Sequence, residues 1–335
     1  MNTYQPPYTI TPEILNRVAA ISESIGRLTL LTDEAKALRL RRINRIRTIH
    51  GSLAIEGNTL SEEQITSILD GKQVIAPPRE VQEVKNALAA YDRFHTWNPE
   101  AEKDLLEAHR ILMSGLIDEV GMYRHGGVGV MANQQVIHVA PPADRVPQLM
   151  EDLFSWLTTS DTHPLITSSV FHYEFEFIHP FADGNGRMGR LWQSLILARW
   201  NPLFAEIPVE SLIFEHQIEY YQAIQESTRQ SDSAPFIVFM LRMILDTLKT
   251  STPEVAKEVT PEVRLLSVLN GEMTRQQLKE ALGMKDDEHF RKAYLLRALN
   301  ADLIEMTIPD KPRSSKQKYR FTDKGRKWLA HNREG

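Results

Sequence analysis

The sequence predicts a mainly helical fold that carries one β-hairpin and ends in a small α+β domain. Three observations lead to this prediction. Apolar residues recur at three- and four-residue steps through most of the first 250 residues, as they do on one face of a helix. Two short runs of β-type residues flank "ANQQ", residues 132–135. After a proline-containing stretch near residue 252, helical and strand-like segments follow each other closely.

Composition sets the outer limits. The 335 residues are enough for about two domains. The absence of cysteine excludes a disulfide framework and thiolate chemistry. No apolar run reaches the length of a membrane span, and the first residues lack the pattern of a secretory signal, so we expect a cytoplasmic protein without membrane contact. The net charge of −5 argues against a dominant nucleic-acid surface.

The first predicted elements are helices with one apolar face each. The steps favour helices over residues 13–31 and 37–57, the second of which stops near Gly57. Ser61 and Gln64 predict a capping box for a short helix that ends by residue 71. Two further helices are expected at about residues 79–94 and 100–116.

The middle of the chain changes character and then returns to helix. Residues 128–131 and 136–139 predict a hairpin, which two prolines close, and helix resumes near residue 146. The segment "VFHYEFEFI", residues 170–178, alternates like a strand. A longer window also fits helical steps, and its length favours a helix. More helices are expected over residues 203–227 and 234–250.

The stretch "HPFADGNGRMGR", residues 179–190, combines loop and helix signals. Its D-G and N-G pairs are typical of hairpin turns, but the following "MGRLWQSLILARW" has helical steps. A glycine-rich loop at a helix N-terminus presents open N–H groups and the positive end of the helix dipole, which together bind anions. Gly184 and Gly186 would allow close backbone approach and positive φ.

The side chains around these glycines suit a nucleotide polyphosphate. Arg187 and Arg190 oppose the dipole of the predicted helix, and bidentate phosphate binding gives a reason for that arrangement. Asp183 can hold Mg²⁺ together with phosphates. His179 can accept a proton near neutral pH, and Pro180 keeps its backbone out of a helix. A lone histidine is more often structural and a lone arginine solvated, so the combination carries the prediction.

The stretch resembles the signature of the Fic family. It matches the pattern H-x-F-x-[D/E]-G-N-G-R-x-x-R at every fixed position. Upstream, "GMYRHGGVGV" and "IHVAPP", within residues 121–142, resemble the Gly-x-Tyr-Arg segment and the flap hairpin of that family. The resemblance extends from about residue 8 to residue 245 and implies a Fic-type helical bundle with a β-hairpin flap.

The resemblance also implies an activity, which is the transfer of AMP from ATP to a Ser, Thr or Tyr hydroxyl of a target protein or of the chain itself. His179 would be the base and Asp183 the Mg²⁺ ligand. The phosphates would lie on Gly184, Asn185, Gly186, Arg187 and Arg190, and Tyr220 and Tyr221 would contact the adenosine side. The flap residues Val128, Gly129, Val130 and Met131 would align a segment of the target. From the residues alone, the two tyrosines also fit core or surface positions, and the flap fits an ordinary surface hairpin.

A second motif lies near the predicted helix end at Gly57. "SLAIEG" resembles the family's inhibitory motif [S/T]-x-x-x-E-[G/N] at Ser52, Glu56 and Gly57. The resemblance implies that Glu56 pairs with Arg190, which we expect to be a bidentate contact, and so keeps Arg190 from the γ-phosphate. Considered alone, Glu56 also fits a solvated carboxylate at the end of a helix.

The tail predicts a separate winged-helix-like module. Thr274 and Gln277 predict a capping box, a second helix covers residues 287–300, and two strands flank a basic loop with Lys311, Arg313 and Lys316. Arg291, Lys292 and Arg297 would lie on the recognition helix. DNA binding and protein or homodimer contacts are both open for this module.

We therefore divide the chain into an N-terminal helical region (1–98), which carries the inhibitory helix, a catalytic core (99–250), a linker (251–261) and the winged-helix-like domain (262–335). AMP transfer is the leading prediction. The alternatives are a DNA-binding regulator whose site senses nucleotides, and a Fic enzyme that uses another nucleotide or removes AMP.

Overall fold

The computed structural model describes residues 4–29, 34–132, 135–251, 265–266, 268–269, 271–282, 284, 290–311, 314 and 316–326. The chain forms two compact units, Met1–Thr252 and Pro253–Gly335. Most of the predicted linker, residues 252–261, lies outside the described residues.

The first unit is a bundle of helices, as predicted. The helices are α1 Pro12–Thr29, α2 Glu34–Ile55, α3 Glu62–Leu69, α4 Pro78–Arg93, α5 Glu102–Leu112, α6 Val146–Thr159, α7 Pro164–Ile178, α8 Asn185–Trp200, α9 Val209–Glu215, α10 Gln217–Gln230 and α11 Ala234–Ser251. Helix α7 packs against α8 and α6, while α1 packs on α11 and α2 on α9. None of the described helices combines the length and the apolar character needed to cross a bilayer.

Helix α7 explains why its sequence looks like a strand. Its side chains are buried almost without exception from Leu165 to Ile178. A helix that is surrounded by protein on all sides has no face toward solvent, so its sequence lacks the 3.6-residue alternation of polar and apolar faces. The choice of helix for residues 170–178 is confirmed.

Local signals set the ends of several elements. The predicted capping box of α3 forms, because Gln64 N donates to Ser61 Oγ at 3.3 Å and Ser61 N donates to Gln64 Oε1 at 2.9 Å. The hairpin consists of β1 Gly129–Ala132 and β2 Gln135–Val139, which pair antiparallel with an irregularity between Val130 and Met131. Val128 precedes the strand that was expected to include it.

The second unit combines short helices with a three-stranded antiparallel sheet. Its elements are β3 Met273–Thr274, α12 Arg275–Ala281, a π-helical turn Arg291–Leu295, α13 Leu296–Asn300, β4 Ile304–Met306 and β5 Lys318–Phe321. The strand order is β3-β5-β4. The capping box of Thr274 and Gln277 is confirmed. Strand β3 was not predicted, since two residues are too few for an alternating pattern. Arg313 and the side chain of Lys292 lie outside the described residues.

Candidate active site

The loop between α7 and α8 carries the residues that the sequence singled out. His179 ends α7 with φ 51° and ψ 60°, and its N–H donates to Phe175 O at 2.9 Å. Few residues other than glycine accept this left-handed conformation, so the surrounding structure has to hold it in place. The imidazole of His179 is 18% exposed, and its Nδ1 lies 3.8 Å from Glu176 Oε2.

A buried aromatic pair fixes the middle of the loop. Phe181 stacks on His109 with ring centroids 3.7 Å apart. Gly121 N donates to His109 Nδ1 at 2.9 Å, so the ring hydrogen is on Nε2, which donates to Asp183 O at 3.0 Å. Burial, the largest influence, lowers the pKa of His109 to about 4. A neutral His109 therefore ties α5 to the backbone of Asp183.

The glycines and the asparagine of the loop meet different geometric demands. Gly184 has φ 84°, and a Cβ there would lie 2.6 Å from Met113 Sδ. Gly186 lies in the first turn of α8, so the expectation of a positive φ is wrong for it. A Cβ on Gly186 would lie 2.4 Å from Glu56 Oε1, so glycine at this position lets Glu56 reach Arg190. The Asn185 side chain bonds both the N–H and the C=O of Phe181 at 2.9 Å, which leaves only its backbone to face a ligand.

Asp183 is 42% exposed and lies between two arginines. Its Oδ1 is 3.2 Å from Arg187, and its Oδ2 is 3.4 Å from Arg79 on α4. Within the part of the chain that the structure describes, no three His, Asp or Glu side chains form a complete metal site. A single carboxylate fits Mg²⁺, which takes most of its ligands from phosphates and water.

The two signature arginines are buried and have acidic partners. Arg187 contacts Asp183, and its Nη1 lies 3.7 Å from Glu83 on α4. Arg190 donates to Glu56 Oε1 at 2.7 Å and also to Ser52 O at 2.9 Å. Burial, the largest single influence, lowers the pKa of the Arg190 guanidinium, but Glu56, Tyr220 and Tyr221 together raise it above its usual value. The contact uses one guanidinium nitrogen, Nη2, and not the bidentate geometry that was expected.

The turn that carries Glu56 is held from α4. Gly57, with φ 91°, follows directly after Glu56 at the end of α2. Asn58 Nδ2 then donates to Glu83 Oε2 at 2.8 Å, and Thr59 N donates to Glu80 Oε2 at 2.7 Å. These contacts fix the chain immediately beyond the carboxylate that meets Arg190.

The predicted tyrosines and flap residues are not all brought to this loop. Tyr220 is 1% exposed, and its hydroxyl lies 3.1 Å from His172 Nε2 inside the core. Its ring therefore has no open face in this structure. Tyr221 is partly buried and packs edge-on against Tyr220. The hairpin connects to the loop at its base, through Arg124.

Arg124 is a buried residue whose part in the site the sequence did not reveal. Its guanidinium donates to the carbonyl oxygens of His179, Ile178, Gly126 and Pro141 at 2.6–3.2 Å. It thereby joins the end of α7 to the base of the hairpin. The other residues that sequence reasoning missed are Arg79, Glu83, His109 and Glu176. Only the i, i+4 spacing of Arg79 and Glu83 on a predicted helix gave any local signal.

Comparisons with known proteins show which families the chain resembles. Residues 99–197 match the Fic/DOC family, and residues 261–322 match the family described as "Filamentation induced by cAMP protein Fic-like, C-terminal domain". The chain is 30% identical over 242 residues to protein adenylyltransferase Fic of Aedes aegypti, covering 67% of this chain and 45% of that protein. The Nematostella vectensis protein of the same name is 30% identical over 206 residues, 58% of this chain and 45% of that protein. The chain thus spans about half the length of these curated relatives.

Solved structures extend the likeness over nearly the whole chain. A Fic family protein from Desulfovibrio desulfuricans G20 is 51% identical, has a TM-score of 0.75, and covers 96% of this chain and 99% of its own. Fic-1 from Caenorhabditis elegans is 25% identical with a TM-score of 0.61, covering 70% of this chain and 71% of that one. From the complete signature, the helical fold and this likeness along nearly the full length, we conclude that the chain belongs to the Fic family.

Proposed function

We propose that the chain transfers AMP from ATP to a Ser, Thr or Tyr hydroxyl of a target protein or of itself. One observation carries the proposal, which is the junction of α7 and α8. His179, the exposed Asp183 and the buried Arg187 and Arg190 all belong to this junction, next to the open N-terminus of α8. Relatives named protein adenylyltransferase Fic support it further.

In the proposed reaction, His179 accepts the proton of the attacking hydroxyl. The oxygen forms a bond to the α-phosphorus, the bond to the β-phosphate oxygen breaks, and diphosphate leaves. The N–H groups of Asn185 and Gly186 and the Arg187 guanidinium would bind the phosphates. The N–H of Gly184 donates to Asp183 Oδ1 at 2.6 Å and would bind a phosphate only after leaving that contact. Asp183 would hold Mg²⁺, which supplies charge neutralisation when bound. Such a transfer depends on positioning and charge more than on covalent chemistry by the protein.

The proposal includes inhibition by Glu56. While its Nη2 donates to Glu56 Oε1 at 2.7 Å, Arg190 would be held away from a γ-phosphate. ATP would then bind in a pose that does not suit in-line attack. The side chain of Glu56 is one-third exposed, so it can leave the pocket without unfolding α2.

The hairpin would align the target. Within the described residues, β1 pairs only with β2, so the other edge of β1 can accept an extended segment. Arg124 holds the base of this hairpin to the carbonyl of His179, which would keep the target hydroxyl and the base in a constant relation.

The test is transfer of label from α-labelled ATP to protein, with ATP affinity measured separately by calorimetry. We expect Glu56→Gly to transfer several-fold faster than wild type, and His179→Ala to transfer nothing while still binding ATP. His95→Ala, at an exposed histidine outside the site, is the matched control and should behave like wild type. A Glu56→Gly protein that binds ATP but is no faster than wild type would contradict the inhibition.

The same experiment separates the alternatives within the family. Labelled GTP, CTP or UTP in place of ATP tests whether another nucleotide is used. Incubation of the modified product with wild-type chain, followed by assay of released AMP, tests removal.

A second candidate function concerns the C-terminal unit. Arg291 and Arg297 are exposed on its helical segment, as phosphate contacts would require. If the unit binds DNA, the chain should retard a DNA duplex in a salt-dependent manner. Replacement of both arginines by glutamine should abolish the retardation, whereas His179→Ala should not.

A further inference from the structure

A buried carboxylate lies behind His179 and has no part in the proposed reaction so far. Glu176 is one turn earlier on α7 and is 6% exposed. Its Oε2 is 3.8 Å from His179 Nδ1, and its Oε1 is 3.8 Å from His172 Nε2. Among the described residues, Oε1 has no hydrogen-bond partner. Leaving a buried acceptor unsatisfied destabilises a fold, so stability does not explain this residue.

A glycine on helix α8, Gly189, lies next to this carboxylate. A Cβ on Gly189 would lie 2.9 Å from Glu176 Oε1 and 2.7 Å from His172 Cδ2. A side chain at that position would therefore push Glu176 away from the junction. Glycine at residue 189 leaves space for Glu176 beside His179.

His172 cannot give Glu176 a hydrogen bond. Its Nδ1 lies 2.5 Å from Gln193 Oε1, an acceptor, so the ring hydrogen is on Nδ1. Its Nε2 then accepts from the hydroxyl of Tyr220. Burial lowers the pKa of His172 to about 3, which keeps the ring neutral. His179 is thus the imidazole that can exchange a hydrogen with Glu176.

Charged and titratable groups surround Glu176 on several sides. Arg190 faces it from α8, Glu56 from the end of α2, and Tyr220 and Tyr221 from α10. His172 and His179 face it from α7 itself. Burial raises the pKa of Glu176 to about 8, Arg190 acts in the opposite direction, and Glu56 adds to the rise.

We propose that Glu176 is a positioning residue that sets the tautomer of His179. Ionised Glu176 accepts the hydrogen of Nδ1 and leaves the Nε2 lone pair to take the proton of the target hydroxyl. Protonated Glu176 instead donates to Nδ1, which puts the ring hydrogen on Nε2 and stops it from acting as a base. At 3.8 Å the ionised carboxylate already favours a hydrogen on the Nδ1 that faces it, and the separation shortens to a hydrogen bond when substrate is bound, as catalytic contacts commonly do. This role rests on the proposed function of His179.

The kinetic test uses the Glu56→Gly protein, in which transfer is expected to be measurable. Its kcat should rise with pH as Glu176 ionises. Adding Glu176→Gln should lower kcat by about 10²-fold, leave the KM for ATP unchanged and remove that rise. Glu174→Gln is the matched control, because Glu174 is also on α7 and 4% exposed, but it accepts from Tyr4 at 2.8 Å, away from the site. Glu176→Asp, which keeps the acid, should retain the rise with a smaller loss.

A spectroscopic test shows whether Glu176 sets the tautomer of His179, and it does not require the protein to transfer AMP. In full-length protein labelled with ¹⁵N-histidine, the His179 signals are those that disappear in His179→Ala. Above pH 8 we expect Nδ1–H in wild type and in Glu174→Gln, and mainly Nε2–H in Glu176→Gln. The same tautomer and the same pH profile in Glu176→Gln as in wild type would overturn the role of Glu176. Loss of transfer in every variant together with the expected tautomers would overturn only the proposed function.

Discussion

Replacing His109 by glutamine should change how the stability of the protein depends on pH. His109 is buried and neutral, accepts from Gly121 N and donates to Asp183 O. Burial lowers its pKa to about 4, against about 6.5 in an unfolded chain. Glutamine cannot titrate. The variant therefore lacks the part of the pH dependence that belongs to this ring.

The sign and the size of the effect follow from these two pKa values. Between pH 6.5 and pH 4 the unfolded chain binds a proton that folded His109 does not, so the free energy of unfolding falls as the pH falls. The full difference is about 3 kcal/mol, of which about 2 kcal/mol is reached by pH 5. Burial raises the pKa of Glu174, Glu176 and Glu210, and these groups change stability in the opposite direction. Only the difference between the two proteins isolates His109.

The assay is denaturant unfolding followed by tryptophan fluorescence at pH 7.5 and pH 5. Four of the five tryptophans precede residue 252, so the signal reports the first unit. We expect His109→Gln to be less stable than wild type at pH 7.5, and the gap to narrow by about 2 kcal/mol at pH 5. His95→Gln, at an exposed histidine, should leave the pH dependence unchanged. Parallel pH curves for wild type and His109→Gln would refute the reasoning.

Three further substitutions have expected outcomes. Gly51→Ala would place a Cβ 2.6 Å from the Glu210 backbone and should lower the free energy of unfolding by about 1–3 kcal/mol. Gly26→Ala on α1 would meet nothing within 4 Å and should raise the free energy of unfolding by about 0.5–1 kcal/mol. Equal shifts of the two melting temperatures would contradict this reasoning. Arg124→Met should leave carbonyl oxygens without donors, lower the free energy of unfolding by about 2 kcal/mol or more, and speed amide hydrogen exchange in β1 and β2. Arg124→Lys should recover part of the lost stability. Unchanged exchange in Arg124→Met would argue against Arg124 as the anchor of the hairpin. Asn185→Asp should destabilise the fold at pH 7.5, because a carboxylate would face Phe181 O. The fold should be less destabilised at pH 4.5, where the protonated acid can donate to that oxygen. A loss of stability that does not depend on pH would count against this contact.

Local patterns predicted much of the fold and of the loop. The capping boxes at Ser61 and Thr274 and the glycine-rich entry to α8 depend on residues within a few positions of each other. Such spacings are visible in a single sequence because the backbone itself brings the partners together. The start of the hairpin was misjudged by one residue, since Val128 has the same β-type character as the strand that follows it.

Contacts between distant segments could not be predicted in the same way. Arg79 meets Asp183 across 104 residues, and His109 meets the same residue across 74. No local spacing records which helix packs against which. The Glu56–Arg190 contact was predicted only because the motif around Glu56 resembles that of a known family. For Tyr220 the family resemblance implied a contact with adenosine, whereas the structure buries its ring in the core beside His172. That burial depends on packing between helices that the sequence does not display.

The contact between Glu56 and Arg190 joins residues 134 positions apart in one polypeptide. The carboxylate is therefore present at a local concentration that no dilution, expression level or loss of a partner can alter. Any anion that binds Arg190 has to compete with this attached carboxylate. The competition lowers the apparent affinity of the anion by a factor that does not depend on the protein concentration. If Glu56 inhibits as proposed, control of this guanidinium would come from events that move the Glu56 side chain away from Arg190.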